Sequence, residues 1–255
     1  MQIKMIVTDL DRTLLRTDKT ISDYTIKVLG RCRKYGIKVV FATARPRNRI
    51  DILPFTGLAD AVVVSNGSAI YKNHERMMQF GIPAATAKYI TRTIYSAFPH
   101  LRLSCEYDNV TYHDKPFDDG LWEGTVRIGL DDLPDLPADK IVVRAGERDY
   151  FELQKLLPEN CYSQLCENRL ILIMHKAATK WNAVQFLSAH FCLSTTNVIA
   201  FGDDYNDIEM LQKCGVGVAV SNALAEAKNA ADYICATNDE DGAANWIEQH
   251  ILAQT

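Results

Sequence analysis

Short, almost continuously apolar runs separated by helical stretches open and close this chain. "IKMIVT" (3–8) predicts a buried strand, and "SDYTIKVLGRCRKYG" (22–36) a helix with Ser22 as its cap and Gly36 as its stop. "IKVVFAT" (37–43) is the next strand, "RPRNRIDILPFTG" (45–57) a short helix and loop, and "DAVVVSNG" (60–67) a third strand. The rhythm returns at the end of the chain. "TKWNAVQFLSAHF" (179–191), "DIEMLQKCG" (207–215), "NALAEAKNAA" (222–231) and "EDGAANWIEQHIL" (240–252) predict helices. "TNVIAF" (196–201), "VGVAV" (216–220) and "DYIC" (232–235) predict strands between them. Short apolar strands alternating with helices indicate a parallel sheet covered on both faces.

The middle follows another pattern. A helix, "PAATAKYITRTIYSAF" (83–98), is followed by the strand-like runs "LRLSCEY", "VTYHD", "TVRIGL" and "KIVVRAG". A second helix, "RDYFELQKLL", precedes "CYSQLC" and "RLILIM". Two helices with several strands and tight turns predict an α+β module built on an antiparallel sheet. The expected organisation is therefore an α/β core of residues 1–81 and 179–255, interrupted by an inserted α+β domain of residues 82–178.

Composition narrows the classes. With 47% hydrophobic and 24% charged residues among 255, the chain can bury a sizeable core. A net charge of −4 argues against a broad nucleic-acid or membrane-surface footprint. No segment approaches the ~20 apolar residues that span a bilayer, and the N-terminus lacks the pattern of a signal peptide. Seven scattered cysteines suit free thiols in a reducing cytosol, so a cytoplasmic protein is expected. Nothing resembles a long apolar interface helix, and a monomer is expected.

In open α/β sheets ligands bind beyond the carboxyl ends of the strands. The first strand ends in Asp9-Leu10-Asp11, the second in Thr43-Ala44-Arg45, and "NVIAF" runs into "GDDYND", residues 202–207. Lys180 opens the helix after the insertion. If these ends are neighbours, Asp9, Asp11, Asp203 and Asp207 share one small volume with a lysine and a hydroxyl. Carboxylates so close raise each other's pKa unless a cation joins them. Hard oxygen ligands suit Mg²⁺, which favours sites completed by phosphate oxygens and water. Lys180 and Thr43 would supply a charge and a hydroxyl donor to a phosphate group.

"DLDRTL", "ATAR", Lys180 and "GDDYND" together resemble the four motifs of the haloacid dehalogenase-like (HAD) phosphatases, in the order of that family. The insertion falls between the second and third motifs, where the Cof-type sugar-phosphate phosphatases carry a large α+β cap; "VSNGSAIY" and "NDEDGAANWI" are similar to that subfamily too. The resemblance implies a Rossmann-like core with a cap that selects the substrate. It implies Asp9 as nucleophile, Asp11 as acid and base, and Mg²⁺ held by the Asp9 and Asp203 carboxylates and the Asp11 backbone carbonyl. Thr43, Lys180 and Asn206 would hold the transferring phosphoryl, and Asp207 would orient Lys180 or metal-bound water. Arg45, Ala44, Asp204, Asn66 and Arg12 are supporting candidates.

Two positions depart from the family pattern: Arg12 and Trp181 stand where glycine is usual. Glycine tolerates backbone angles that arginine resists, so Arg12 is expected to alter the turn or to reach into the site as a phosphate contact. The expected function is a Mg²⁺-dependent phosphomonoesterase for small phosphorylated metabolites such as sugar phosphates. A phosphomutase on the same core is disfavoured by the short spacing between Asp11 and Thr43. A binding or regulatory module without turnover is disfavoured by the intact acids. Tyr107, Tyr112, His113 and Trp122 of the insertion are read as packing residues before substrate contacts.

Overall fold

A computed structural model describes residues 2–108, 110–115, 125–166 and 168–254. The chain divides into two compact units. The first comprises Met1–Arg45, Asp51–Met78 and Thr179–Thr255, and the second Pro46–Ile50 and Gln79–Ala178.

The first unit opens with β1 (Met5–Thr8), buried at every position. Helix α1 (Asp23–Lys34) starts where the Ser22 side chain accepts a hydrogen bond from the Thr25 N–H, and it buries Val28, Leu29 and Cys32. β2 (Lys38–Ala42) follows, then the single turn α2 (Arg47–Ile50), which clusters with the second unit. β3 (Ala61–Val64) pairs parallel to β2. After β3 the chain reverses through three left-handed residues, Ser65, Asn66 and Gly67. β4 (Ala69–Lys72) therefore runs antiparallel to β3, and β5 (Glu75–Gln79) extends the same sheet. These two strands are absent from the expected all-parallel core. "SNG" supplies the positive-φ turn that folds "SAIY" back as a strand.

The second unit holds α3 (Ala84–Ala97), β6 (Arg102–Tyr107), β7 (Val110–His113), β8 (Thr125–Arg127), β9 (Lys140–Arg144), α4 (Glu147–Gln154), β10 (Cys161–Cys166) and β11 (Leu170–His175). Its sheet order is β10-β11-β9-β6-β7-β8. Pairing is antiparallel except between β7 and β8, which run parallel. That pair corrects the expectation of a purely antiparallel sheet: eleven residues in sequence, 114–124, separate the two strands, more than a tight hairpin turn uses. Alternation sends Leu103, Cys105, Ile141, Val143, Ile171 and Ile173 into one core with Ile90 and Ile94 of α3. The opposite sheet face carries a buried ion pair, Lys140 Nζ to Glu106 at 3.2 Å. Tyr107 and Tyr112 meet edge to face at 5.6 Å beside the main core, and the His113 ring lies 3.1 Å from Thr125 Oγ1. Trp122 lies outside the described residues.

Back in the first unit come α5 (Lys180–His190), β12 (Val198–Gly202), α6 (Ile208–Lys213), β13 (Val216–Val220), α7 (Ala225–Ala230), β14 (Tyr233–Cys235) and α8 (Gly242–His250). The full sheet order is β14-β13-β12-β1-β2-β3-β4-β5, with β1 parallel to both β2 and β12. α1 packs on α8, while α5 packs on α6 and α6 on β13. The central strands thus bury both faces, as their unbroken apolar sequences require. Among the described residues, no helix is long and apolar enough to cross a membrane.

Gly67 has φ +104°, and a Cβ there would stand 2.2 Å from the Thr179 carbonyl oxygen, at the start of the helix that carries Lys180. Gly67→Ala should therefore destabilise by about 2–5 kcal/mol. Gly30, inside α1, has nothing within 4 Å of its missing Cβ, and Gly30→Ala should stabilise by about 0.5–1 kcal/mol. Urea unfolding midpoints that moved in the same direction for both would contradict this account of the two positions.

Candidate active site

Three parallel strands end side by side and deliver the site. The Asp9 N–H donates to the Phe201 carbonyl at 3.0 Å, locking the end of β1 to β12 two residues before Asp203. The Thr43 N–H bonds the Val63 carbonyl at 2.9 Å, so β2 ends level with β3. Thr179 caps α5, its hydroxyl accepting from the Asn182 N–H, and so aims the first residue of that helix at the strand ends.

That residue is Lys180, wholly buried. Its Nζ donates to Asp9 Oδ1 and to Asp207 Oδ1, both at 2.6 Å. Asp207 is committed on its other side as well. Its Oδ2 accepts from the backbone N–H groups of Asp203 at 2.9 Å and Asp204 at 3.1 Å. Asp203 Oδ1 accepts from the Thr13 hydroxyl at 2.8 Å, and its Oδ2 lies 3.9 Å from Arg12 Nε. Asp9, Asp203 and Asp207 each place one carboxylate oxygen within 4.8 Å of the others.

The Asp11 carboxylate does not join this group. Arg45 holds it through Nε to Oδ2 at 2.7 Å and Nη2 to Oδ1 at 2.6 Å, and Lys19 Nζ reaches Oδ1 at 2.9 Å. Thr43 is buried, its hydroxyl accepting from the Arg45 N–H at 3.1 Å. Asn206 donates to Asn66 Oδ1 at 2.7 Å, joining the turn after β3 to the loop after β12. Asp204 spends its carboxylate on the Tyr205 N–H and caps the following turn, and Ala44 supplies backbone between Thr43 and Arg45. Trp181 turns into packing, with Lys213 Nζ 5.5 Å from the centre of its ring.

Environment separates the two acids of the first strand. Burial pushes the Asp9 carboxyl well above its usual range, and the charges of Asp207 and Asp203 push the same way against Lys180. Burial, with the Asp207 charge, raises Asp203 to about 6. Burial also acts on Asp11, but the hydrogen bonds from Arg45 and Lys19 outweigh it and hold that carboxyl below its usual range. Lys180 is likewise opposed by burial, and the carboxylates of Asp207 and Asp9 win, keeping it protonated.

The donor chemistry fits a divalent cation. Three carboxylates face one buried ammonium, with the exposed Arg12 only at the edge of Asp203, and the side-chain groups offered to an ion are hard oxygens. Asp207 has both oxygens engaged by Lys180 and backbone amides, which leaves Asp9 and Asp203 as the carboxylates available to an ion.

Thr13, Lys19 and Asn222 touch this site and were given no role by the sequence reading. The position of Thr13, two residues past Asp11, was a usable signal. Lys19 and Asn222 had none, because only the turns bring them back (Asn222 Nδ2 meets the Arg12 carbonyl at 2.8 Å).

An α/β core that buries a lysine between two aspartates, with a second acid two residues beyond the first, has the groups that phosphoryl transfer requires. A family profile described as haloacid dehalogenase-like hydrolase matches residues 6–247, and the chain belongs to that family. A Haemophilus influenzae protein, named provisionally as a phosphatase, is 31% identical over 98% of this chain and 98% of its own. The 5-amino-6-(5-phospho-D-ribitylamino)uracil phosphatase YitU of Bacillus subtilis is 28% identical, covering 96% of this chain and 97% of its own. The crystal structure of a haloacid dehalogenase-like hydrolase from Bacteroides thetaiotaomicron superposes with TM-score 0.85 at 26% identity, covering 97% and 99% of the two chains. The protein is an enzyme, a HAD-family phosphatase.

The raised Asp203 carboxyl carries a testable sign. The folded protein binds that proton more tightly than the unfolded chain, so this contribution to stability is full below about pH 4 and declines as pH rises through about 6. A divalent cation competes with the same proton. Magnesium chloride should raise the thermal midpoint more at about pH 7.5 than at about pH 5. Equal rises at both pH values would place the ion elsewhere.

Proposed function

We propose that this enzyme is a Mg²⁺-dependent phosphomonoesterase for small phosphorylated metabolites of the sugar-phosphate or polyol-phosphate kind, working through an aspartyl-phosphate. The observation that carries the proposal is Lys180. It fixes Asp9 by one oxygen, and no hydrogen bond from the described residues engages Oδ2 of Asp9. The ribityl phosphate in the name of the Bacillus subtilis relative supports a polyol-like leaving group. The free cysteines support a reducing, cytoplasmic setting.

In this reading Asp9 Oδ2 attacks phosphorus, the bond from phosphorus to the leaving oxygen breaks, and Asp11 delivers its proton to that oxygen. Asp11 then takes a proton from water, whose oxygen attacks the same phosphorus and releases inorganic phosphate and the Asp9 carboxylate. The proton that leaves with the alcohol is replaced by the one taken from water, so Asp11 ends each turnover as it began and the chemistry balances. Arg45 and Lys19 favour the anionic form of Asp11, the form it needs when it takes a proton from water; the anionic leaving oxygen opposes them and favours the protonated form. Lys180 balances charge beside Asp9, while Thr43 and Asn206 hold the transferring phosphoryl. Mg²⁺, held by Asp9, Asp203 and the Asp11 backbone carbonyl, would offset the negative charge of the phosphoryl oxygens. Residues 82–178 would choose the leaving group.

Inorganic phosphate release from hexose, pentose, polyol, nucleotide and pyridoxal phosphates, with Mg²⁺ and with EDTA, tests the proposal. Release should need Mg²⁺ and favour one class of leaving group. Asp9→Asn should lose at least ~10³-fold in kcat. Undiminished release by that variant, or in EDTA, would sink the reading.

A further inference from the structure

The backbone of Arg12 keeps a left-handed conformation that glycine adopts freely, with φ +63°. For a residue with a Cβ this costs about 1–2 kcal/mol, and such conformations persist only where the surroundings over-determine them. The restraint is visible. Asn222, in the loop after β13, donates from Nδ2 to the Arg12 carbonyl at 2.8 Å. Asn222 cannot turn away, because its Oδ1 accepts from the Asn238 N–H at 2.9 Å; the two contacts also fix which end of the amide is nitrogen. Asn238 in turn donates from Nδ2 to the Leu15 carbonyl at 3.0 Å.

The held carbonyl belongs to the peptide that joins Arg12 to Thr13. Rotating it to relax Arg12 would swing Thr13, whose hydroxyl bonds Asp203, and would disturb Asp11 on the other side. The Arg12 side chain offers little restraint of its own. It is 60% exposed and reaches Asp203 only at 3.9 Å.

We propose that Asn222 is a positioning residue, which holds the Arg12 carbonyl and so keeps the Asp9–Thr13 loop in the turn that glycine would adopt unaided. The need for Asn222 is created by arginine at position 12 and falls away when that residue is glycine. The catalytic side of this inference rests on the phosphatase reading; the conformational side stands alone.

A double-mutant cycle tests it, using Asn222→Ala, Arg12→Gly and the pair, with kcat, KM and the thermal midpoint measured for each full-length protein. In the chain with Arg12, Asn222→Ala should lower kcat about tenfold with KM within about twofold, and should lower the midpoint. In the Arg12→Gly chain the same substitution should change kcat by less than about threefold and move the midpoint less. Asn222→Asp, which keeps the acceptor for Asn238 but lacks the donor, should lose kcat as Asn222→Ala does. Equal losses in both chains, or none in either, would overturn the proposal. If the unmodified enzyme released no phosphate from any ester, the phosphatase reading would fail, and the midpoints alone would still decide this inference.

Discussion

The buried ammonium of Lys180 is the constraint on which the site depends. An isolated charge at that depth would cost several kcal/mol, and it stands at a helix N-terminus, the end where the dipole disfavours a cation. Two carboxylates at 2.6 Å outweigh both penalties. Their positions then follow: Asp9 must end β1, and Asp207 must turn back toward the loop after β12. Asp207 manages this by taking the Asp203 and Asp204 amides on its second oxygen, which simultaneously fixes the loop that presents Asp203. One lysine thereby ties the first strand, the fifth helix and the strand after it into a single electrostatic unit. It also explains why Gly67 must lie against Thr179, since any side chain there would push away the helix start that aims Lys180.

The two acids of the first strand are neighbours in sequence and opposites in environment. Asp9 is buried among like charges and pushed toward its neutral form, whereas Asp11 is held anionic by Arg45 and Lys19. Separation of this kind is how one fold assigns distinct roles to chemically identical groups. The raised carboxyls of Asp9 and Asp203 reflect burial first and neighbouring carboxylates second, and a cation bound between them would relieve both.

Much of the fold was legible because it rests on local signals. Continuous apolar runs marked the central strands, and Ser22 marked a helix start. The departures lie where local signals are silent. β4 and β5 depend on three successive left-handed residues, whose angles no hydrophobic pattern reports. The parallel pairing of β7 with β8 is a matter of strand direction, which the apolar pattern of a strand does not encode.

The sequence by itself determined which chemistry is available: acids at two strand ends, a hydroxyl at a third, and a lysine at a helix start. It could do so because parallel strands deliver their C-terminal ends to one edge, so residues far apart in the chain become predictable neighbours. Only the tertiary structure decided how those groups divide. Asp11 leaves the carboxylate cluster because Arg45 and Lys19 reach it, Asp207 is spent on Lys180 and two amides, and Arg12 keeps a glycine's conformation because Asn222 holds its carbonyl. These are directional bonds between side chains brought together by turns, and spacing along a chain carries no information about direction in space.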